Sequence, residues 1–366
     1  MAETCKIAPS RRPTLAVMVK QLRVAAATVL SEELCELIET IEPRVEVVRD
    51  QSIMPPARYP GDHGGDPAFV RTPEQQAAFD AIVDGADALY GLPDESATAL
   101  RRTVAANPRL RWVHTSRAGG GAHIKEAGLS AEAFERIAFT TSAGVHADPL
   151  AEFAVLGVFA GAKDLDLLQQ AQRAHEWRLR WTLGWVSRQR VAVVGLGSIG
   201  RAAAAKLAAL GATVVGVHRR AVDVPGVAEL RLMEELPAVL AEVDAVVLAL
   251  PGTDLTHHLF DGPMFAAMKR GITFVNVGRG TTVDETALIG ALRDGTVGYA
   301  ALDVFEVEPL PQSSPLWDMD NVIVSPHGAA ITVEEDRLIA ELFADNATRL
   351  LDGRPLRNVV NTHEFY

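Results

Sequence analysis

The chain has 366 residues, which at roughly 150 residues per domain is enough for two domains. Its 48% hydrophobic and 22% charged residues are typical of a globular protein, and a formal net charge of −12 disfavours nucleic acid and anionic membranes as partners. Cys5 and Cys35 lack a metal-binding spacing, and the N-terminus lacks the apolar core of a signal peptide. We therefore expect a cytoplasmic protein with no structural metal and no membrane span.

The first 145 residues alternate short β-branched runs with helical segments, a pattern that indicates a parallel α/β fold. The segment 51–73 is rich in proline, glycine and aspartate, which predicts a long loop. An apolar helix over 148–162 is expected to cross to a second domain. The strands expected in this half are 15–19, 45–48, 88–90, 112–114 and 138–140.

The same alternation is denser between residues 190 and 326, where six strand candidates predict a complete doubly wound domain. Helices are expected over 199–210 and 284–293, and the segment from residue 332 is expected to be helical and to pack back on the first domain. The strands expected in this half are 191–194, 213–217, 245–249, 273–277, 299–302 and 322–324. The fold class predicted is therefore α/β with two Rossmann-like domains.

A strand followed by Gly-x-Gly-x-x-Gly and a helix, at 191–200, predicts a dinucleotide-binding loop. Gly195 permits the tight turn, Gly197 lets the backbone approach a pyrophosphate, and Gly200 allows the helix to pack closely on the strand. A purely structural glycine turn is the alternative for such a pattern, but the flanking strand and helix favour cofactor binding.

The end of the next strand carries His218, Arg219 and Arg220, and no acid. An Asp or Glu there would hold the ribose 2′-hydroxyl of NAD, whereas guanidinium groups suit a 2′-phosphate. We therefore favour NADP over NAD. The alternative is that both arginines face solvent and that either cofactor is used.

Three later motifs fall where strands of the second domain end, and they supply Arg279, Glu308 and His327. A cation, a carboxylate and an imidazole can together bind a 2-oxo acid and give it a proton, because a carboxylate beside the imidazole raises the imidazole pKa towards neutral pH. Each residue alone also has an ordinary alternative: a surface cation, a loop charge and a buried histidine.

Together with the phosphate loop, these motifs resemble the D-isomer-specific 2-hydroxyacid dehydrogenase family over about 109–333. The resemblance implies that Arg279 binds the substrate carboxylate and that His327, paired with Glu308, exchanges a proton with the substrate oxygen. It also implies a discontinuous, flavodoxin-like substrate domain (1–147 plus 327–366), a dinucleotide-binding domain (148–326) and an active site in the cleft between them. A formate dehydrogenase of this family would carry glutamine where Glu308 stands.

The resemblance assigns further residues by position. It places the substrate carboxylate on the backbone of Ala118, Gly119 and Gly120, although the family has a bulkier residue at Gly120 and an acid at Gly121. It makes His146 a helix-start residue rather than a catalyst. Along the cofactor it assigns, besides the residues of the phosphate loop and of the second strand end, Ser198, Ile199, Leu250, Pro251, Thr256, Val277, Gly278 and Asp303.

Trp177, Trp181 and Trp185 form an aromatic stripe at a spacing of four. The stripe fits core packing, but similar segments in the family reach a partner subunit, so a homodimer is expected. The predicted function is NAD(P)H-dependent reduction of a 2-oxo acid to a D-2-hydroxy acid. The alternatives are a short-form NAD-dependent 3-phosphoglycerate dehydrogenase and a non-catalytic, dinucleotide-sensing protein that resembles the C-terminal-binding corepressors.

Overall fold

The computed structural model describes residues 21–119 and 121–362, which form two parallel sheets flanked by helices. The first sheet has the strand order β2-β1-β3-β4-β5, which is the flavodoxin-like order. Its strands are β1 Leu22–Ala26, β2 Val45–Val48, β3 Ala88–Tyr90, β4 Trp112–Thr115 and β5 Ala138–Thr141. Its helices are α1 Glu32–Ile41, α2 Pro73–Asp84, α3 Ala97–Ala106, α4 Gly121–Glu126 and α5 Ala131–Arg136.

Four of the five strands predicted for this half are confirmed to within one residue. The fifth, at 15–19, lies outside the described residues, and Leu22–Ala26 forms the strand that pairs with β2 and β3. The predicted loop at 51–73 contains one short 3-10 turn, Gln51–Ile53, and ends where α2 begins. Thr72 and Gln75 form a reciprocal capping box there, and Pro73 takes the first helical position, where proline needs no N–H partner.

The second sheet has seven strands in the order β12-β11-β10-β9-β6-β7-β8, a Rossmann order with one additional edge strand. The strands are β6 Arg190–Val194, β7 Thr213–His218, β8 Glu229–Leu232, β9 Ala245–Leu248, β10 Ile272–Asn276, β11 Val297–Leu302 and β12 Val322–Val324. The prediction of six strands was wrong by one, because β8 was missed. Strand β8 forms the edge of the sheet opposite to β12. Its sequence is Glu-Leu-Arg-Leu and it is only half-buried, so it lacks the continuous apolar run that marks the central strands.

The remaining helices are α6 Ala147–Ala162, α7 Leu165–Ala174, α8 Ser198–Ala209, α9 Leu236–Glu242, α10 Gly262–Ala266, α11 Glu285–Asp294 and α12 Glu335–Leu351. The predicted crossing helix is confirmed as α6, which packs directly on the second sheet. A Cβ on its Gly157 would lie 2.7 Å from Ala301 of β11 and 2.8 Å from Val275 of β10. Small residues in α6 therefore let helix and sheet approach closely. None of the helices in the described ranges is both long and apolar enough to cross a membrane.

Helix α12 follows the second sheet in the chain but packs on the first sheet, which makes the first domain discontinuous. Its Phe343 is fully buried and stacks on Trp112 of β4 with ring centroids 4.4 Å apart. Tyr90 of β3 packs edge-on against the Phe343 ring, with ring centroids 5.2 Å apart. We propose the domain boundaries after residues 147 and 326, next to the starts of α6 and of the segment that leads into α12.

Truncating Phe343 to alanine is expected to lower the free energy of unfolding by about 3–5 kcal/mol, because it leaves a cavity beside Trp112 and Tyr90. Urea denaturation followed by tryptophan fluorescence measures the change. Leu338→Ala is the matched control, since Leu338 lies on the same helix but is exposed. Equal stabilities of the two variants would show that α12 is not part of the core of the first domain.

Candidate active site

The carboxyl ends of the strands of both sheets face a common cleft, which is where open α/β sheets bind their ligands. From the second sheet, β10 leads into Arg279 and β12 leads into His327. From the first sheet, β4 leads into Gly119. A methyl group on Gly119 would collide with the Nη2 atom of Arg279, so the two domains touch at this point. The cleft therefore brings together residues that lie far apart in the sequence.

His327 and Glu308 form a hydrogen-bonded pair in this cleft. His327 Nδ1 lies 2.7 Å from Glu308 Oε2, and Glu308 Oε1 accepts a hydrogen bond of 3.0 Å from the backbone N–H of Phe305. Both carboxylate oxygens are thus engaged, and the imidazole side chain is 47% exposed. Because a carboxylate accepts, Nδ1 carries the proton, and Nε2 is left to act on a ligand. His327 also has φ = +54°, a conformation that costs energy for a non-glycine residue and is concentrated at functional sites.

Asp303 supports the segment that carries His327. Its Oδ1 atom accepts hydrogen bonds from the Ser325 hydroxyl at 2.6 Å and from the backbone N–H groups of Gly328 at 3.0 Å and Ala329 at 2.9 Å. Asp303 is 1% exposed, so these three donors compensate its burial. Sequence reasoning gave Asp303 a cofactor role and missed this support, which depends on contacts 22 to 26 residues away in the chain.

Arg279 lies in the turn after β10 and is half-buried, with its Nη2 atom next to Gly119 of the first domain. Its Nη1 donates a 2.7 Å hydrogen bond to the carbonyl of Gly278, and the next residue, Gly280, packs against the backbone of Phe305 too closely to admit a Cβ. Burial lowers the pKa of the Arg279 guanidinium, and the negative charge of Glu308 opposes that shift. An arginine remains protonated even so, and a partly desolvated cation near the acid–imidazole pair suits a carboxylate ligand.

The phosphate loop has the geometry that a dinucleotide requires. Gly195 has φ = +94°, and a Cβ there would lie 2.7 Å from the carbonyl oxygen of Ala249. A Cβ on Gly200 would overlap the carbonyl of Gly195, whereas a Cβ on Gly197 would meet nothing within 4 Å. The protein itself therefore has no need of glycine at Gly197, and the open space fits a pyrophosphate at the exposed start of α8. Ser198 and Ile199 are the first two residues of that helix.

The other predicted cofactor residues line the same edge of the sheet. His218 ends β7, and its Nδ1 accepts from the backbone N–H of Arg220 at 3.2 Å, while the side chains of Arg219 and Arg220 are exposed. Beyond β9, the Thr256 hydroxyl donates to the carbonyl of Pro251 at 2.6 Å. The remaining predicted positions, on adjacent loops, are Leu250, Val277 and Gly278. Gly278 lies so close to Leu250 that a Cβ on Gly278 would be 2.6 Å from the Leu250 carbonyl oxygen.

On the first domain, Ala118 and Gly119 lie in the loop after β4, where Ala118 is half-buried and Gly119 is exposed, and Gly120 lies outside the described residues. His146 stands at the start of α6, as predicted. Its Nε2 lies 2.9 Å from Oε1 of Glu335, the first residue of α12. Burial is the largest single effect and raises the pKa of Glu335, but the hydrogen bonds and charges of His146 and His63 together outweigh it and lower the pKa to about 2. This contact between the two segments that cross between domains was missed by sequence reasoning.

The aromatic stripe lies in an irregular segment after α7 and not in a helix. Trp177 is fully exposed and Trp185 is 64% exposed, so core packing does not explain them. Trp181 is anchored by a hydrogen bond from its indole N–H to Asp164 at 2.9 Å. In the part of the chain that the structure describes, no three His, Cys, Asp or Glu side chains are grouped as a metal site.

Comparison with known proteins identifies close relatives of this architecture. Residues 155–329 match the family described as D-isomer specific 2-hydroxyacid dehydrogenase, NAD binding domain. Glyoxylate/hydroxypyruvate reductase B of Escherichia coli is 33% identical over 300 residues, which cover 80% of this chain and 89% of that protein.

Solved structures agree with the sequence comparison. A D-isomer specific 2-hydroxyacid dehydrogenase from Xanthobacter autotrophicus Py2, in complex with NADPH and MES, aligns with a TM-score of 0.75 and 30% identity over 95% of this chain and all of its own. The NADPH-dependent glyoxylate/hydroxypyruvate reductase of Sinorhizobium meliloti, in complex with NADP and sulfate, aligns with a TM-score of 0.73 and 26% identity over 94% of this chain and all of its own. The predicted fold class, enzyme class and NAD(P) cofactor are confirmed. The chain belongs to the D-isomer specific 2-hydroxyacid dehydrogenase family.

Proposed function

We propose that this protein reduces a small 2-oxo acid to the corresponding D-2-hydroxy acid with NADPH. The observation that carries the proposal is the His327–Glu308 pair, 2.7 Å apart, in the same cleft as the half-buried cation of Arg279. The relatives that are named glyoxylate/hydroxypyruvate reductases support a small 2-oxo acid as the substrate class.

Substrate binding follows from the positive charge and the exposed backbone at the cleft. The Arg279 guanidinium and the backbone N–H groups of Ala118 and Gly119 come from opposite walls, so together they hold a carboxylate between the domains. The same guanidinium polarises the 2-oxo group as negative charge develops on its oxygen. Bringing the two walls together excludes water, which strengthens both interactions.

Proton transfer is the task of His327. Its Nδ1–H is fixed on Glu308, so the imidazole presents Nε2 to the substrate oxygen and donates a proton from that atom. The negative charge of Glu308 stabilises the protonated imidazole before the transfer, and Asp303 holds the backbone segment that sets the position of the ring. When bound, the nicotinamide supplies the hydride. In the reverse direction His327 accepts the proton from the hydroxyl group.

Absorbance of NADPH and of NADH, followed across glyoxylate, hydroxypyruvate, phenylpyruvate and 2-ketoisovalerate, tests the proposal. Turnover of one or more of these acids with a higher kcat/KM for NADPH than for NADH is the expected result. Binding of cofactor without turnover of any 2-oxo acid would instead support a dinucleotide-sensing role.

The preference for NADPH is ascribed to Arg219 and Arg220, whose exposed side chains follow the strand that borders the phosphate loop. Replacing both with serine is expected to raise the KM for NADPH by about 10- to 100-fold and to change the KM for NADH much less, since only NADPH has the 2′-phosphate. Arg231→Gln is the control, an arginine on the adjacent edge strand that is paired with Glu235 at 3.2 Å. An equal effect on both cofactors would contradict the assignment.

We further propose a cytoplasmic homodimer in which the exposed segment 177–185 contacts the partner subunit. Trp177, Leu179 and Trp185 expose an apolar surface of a kind that monomers rarely leave in contact with water. The mass in solution, measured by light scattering, is expected to be that of a dimer, and a monomer over the micromolar range would refute the proposal. The free and buried Cys35 is compatible with a reducing compartment.

A further inference from the structure

Arg117 adds a second cation to the wall of the cleft that faces Arg279. It lies in the loop after β4, directly before Ala118 and Gly119, whose backbone is proposed to bind the substrate carboxylate. Its side chain is 54% exposed. Its carbonyl is held by the Thr115 hydroxyl at 2.9 Å, so the residue is fixed at the very end of the strand.

Glu95 fixes the position of the Arg117 side chain through an ion pair. Glu95 Oε2 accepts from Arg117 Nε at 3.0 Å and Oε1 accepts from the Ser116 hydroxyl at 3.3 Å. The Glu95 side chain is only 8% exposed, unlike that of a typical surface ion pair. Because this hydrogen bond uses the Nε–H donor, the terminal nitrogens of the guanidinium keep donors that can bind a ligand.

The backbone around Glu95 is fixed in an uncommon conformation. Asp94 and Glu95 have φ values of +53° and +48°, although neither is a glycine. Asp94 is paired with Arg71 at 2.6 Å, and the Arg71 guanidinium stacks 3.9 Å from the ring centre of Phe79 in the core. Consecutive left-handed residues persist only where the surroundings impose them, and such residues are concentrated at ligand-binding sites. The Arg117 side chain is therefore placed by a rigid support.

Arg117 and Arg279 are close enough to influence each other. Besides burial, which is the larger effect, the positive charge of Arg117 lowers the pKa of the Arg279 guanidinium. Contact between Gly119 and Arg279 brings the two loops together. Glu95 occupies only the Nε–H donor of Arg117, so the donors on its terminal nitrogens remain for a second anionic group beside the carboxylate that Arg279 is proposed to bind.

We propose that Arg117 is a specificity-determining residue that selects 2-oxo acids carrying a second anionic group on C3, either a carboxylate or a phosphate ester. This inference rests on the proposed 2-oxo acid reductase activity. The first carboxylate binds Arg279 and the backbone of Gly119, while the second anionic group binds the terminal nitrogens of Arg117. The remote contact stabilises the bound acid and so lowers KM more than it raises kcat.

Matched pairs of substrates test the inference. 2-Oxobutyrate is compared with oxaloacetate, and hydroxypyruvate with its phosphate ester, in the wild type, in Arg117→Gln and in Arg117→Lys. We expect Arg117→Gln to lower kcat/KM for the doubly charged acid of at least one pair about 10-fold more than for its singly charged partner, through KM. Arg117→Lys is expected to recover part of the difference. The pair that shows it identifies the carboxylate or the phosphate ester as the second group.

Arg109→Gln is the control, since Arg109 precedes the same strand at its opposite end and is paired with Asp87 at 3.1 Å. It is expected to change neither pair of substrates differentially. Equal losses for both members of each pair in Arg117→Gln would overturn the inference while leaving the reductase activity standing. A wild type that turns over no 2-oxo acid would overturn the proposed function, and the inference with it.

Discussion

Replacing His327 with alanine is expected to lower kcat by about 10²- to 10⁴-fold, the usual contribution of a general acid, while the Kd for NADPH changes by no more than about twofold. The imidazole is the group whose Nε2 is free to reach the substrate, since Nδ1 is bound to Glu308 at 2.7 Å. The phosphate loop lies at the end of a different strand and does not depend on this side chain. Stopped-flow kinetics of NADPH oxidation and fluorescence titration of NADPH measure the two quantities.

A second histidine–carboxylate pair provides the control for this experiment. His258 Nε2 lies 2.6 Å from Oε1 of Glu306, on the same loop as Glu308. If His327 acts only by holding that loop, His258→Ala should be as harmful as His327→Ala. We expect His258→Ala to lower kcat far less than His327→Ala does. Glu308→Gln tests the other half of the pair, because it removes the charge that stabilises the imidazolium but keeps a hydrogen-bond acceptor. Retention of most of the kcat in His327→Ala would exclude this residue as the proton donor.

Motifs whose chemistry requires a fixed backbone could be predicted from the sequence alone. The glycine at 195 needs φ = +94° and the glycine at 200 needs close contact with the strand, so the spacing of these residues carries the geometry. The central strands were equally predictable, since burial on both faces imposes a continuous apolar run. Arg279, Glu308 and His327 follow such strands, so their place at the ligand-binding edge of the sheet was predicted from the sequence, whereas the pairing of His327 with Glu308 was implied by the family resemblance.

Features that depend on tertiary contacts were not predictable in this way. The edge strand Glu229–Leu232 pairs with one neighbour only and keeps charged residues, so its sequence does not differ from that of a loop. Likewise, Asp303 contacts residues more than 20 positions later, and Arg117, after β4, contacts Glu95, after the neighbouring strand β3. The spacing of neighbouring residues in the sequence does not predict a long-range side-chain contact of this kind. These contacts hold the loops that carry His327 and Arg117.

Replacing Arg279 with lysine is expected to lower kcat/KM for a 2-oxo acid by about 10²- to 10³-fold. Lysine keeps the positive charge but loses the planar guanidinium with its several N–H donors. In the wild type, Nη1 already donates to the Gly278 carbonyl at 2.7 Å, and the other donors remain for the substrate. A single ammonium group cannot keep that bond and also bind a carboxylate and the oxygen that becomes negative. Steady-state kinetics with the best 2-oxo acid and with NADPH held at saturation measure the change.

The comparison of Arg279→Lys with Arg279→Ala separates charge from geometry. If charge alone attracts the substrate, lysine should restore most of what alanine removes. The position of the guanidinium against Gly119 leads us to expect only a small recovery, because the ammonium group lacks the fork that spans the cleft. Arg270→Lys controls for the loss of an arginine in the same domain, since Arg270 caps the carbonyl of Asp294 away from the cleft. A lysine variant with nearly full activity would show that Arg279 acts as a point charge, and that the carboxylate is oriented by the backbone of the loop after β4 alone.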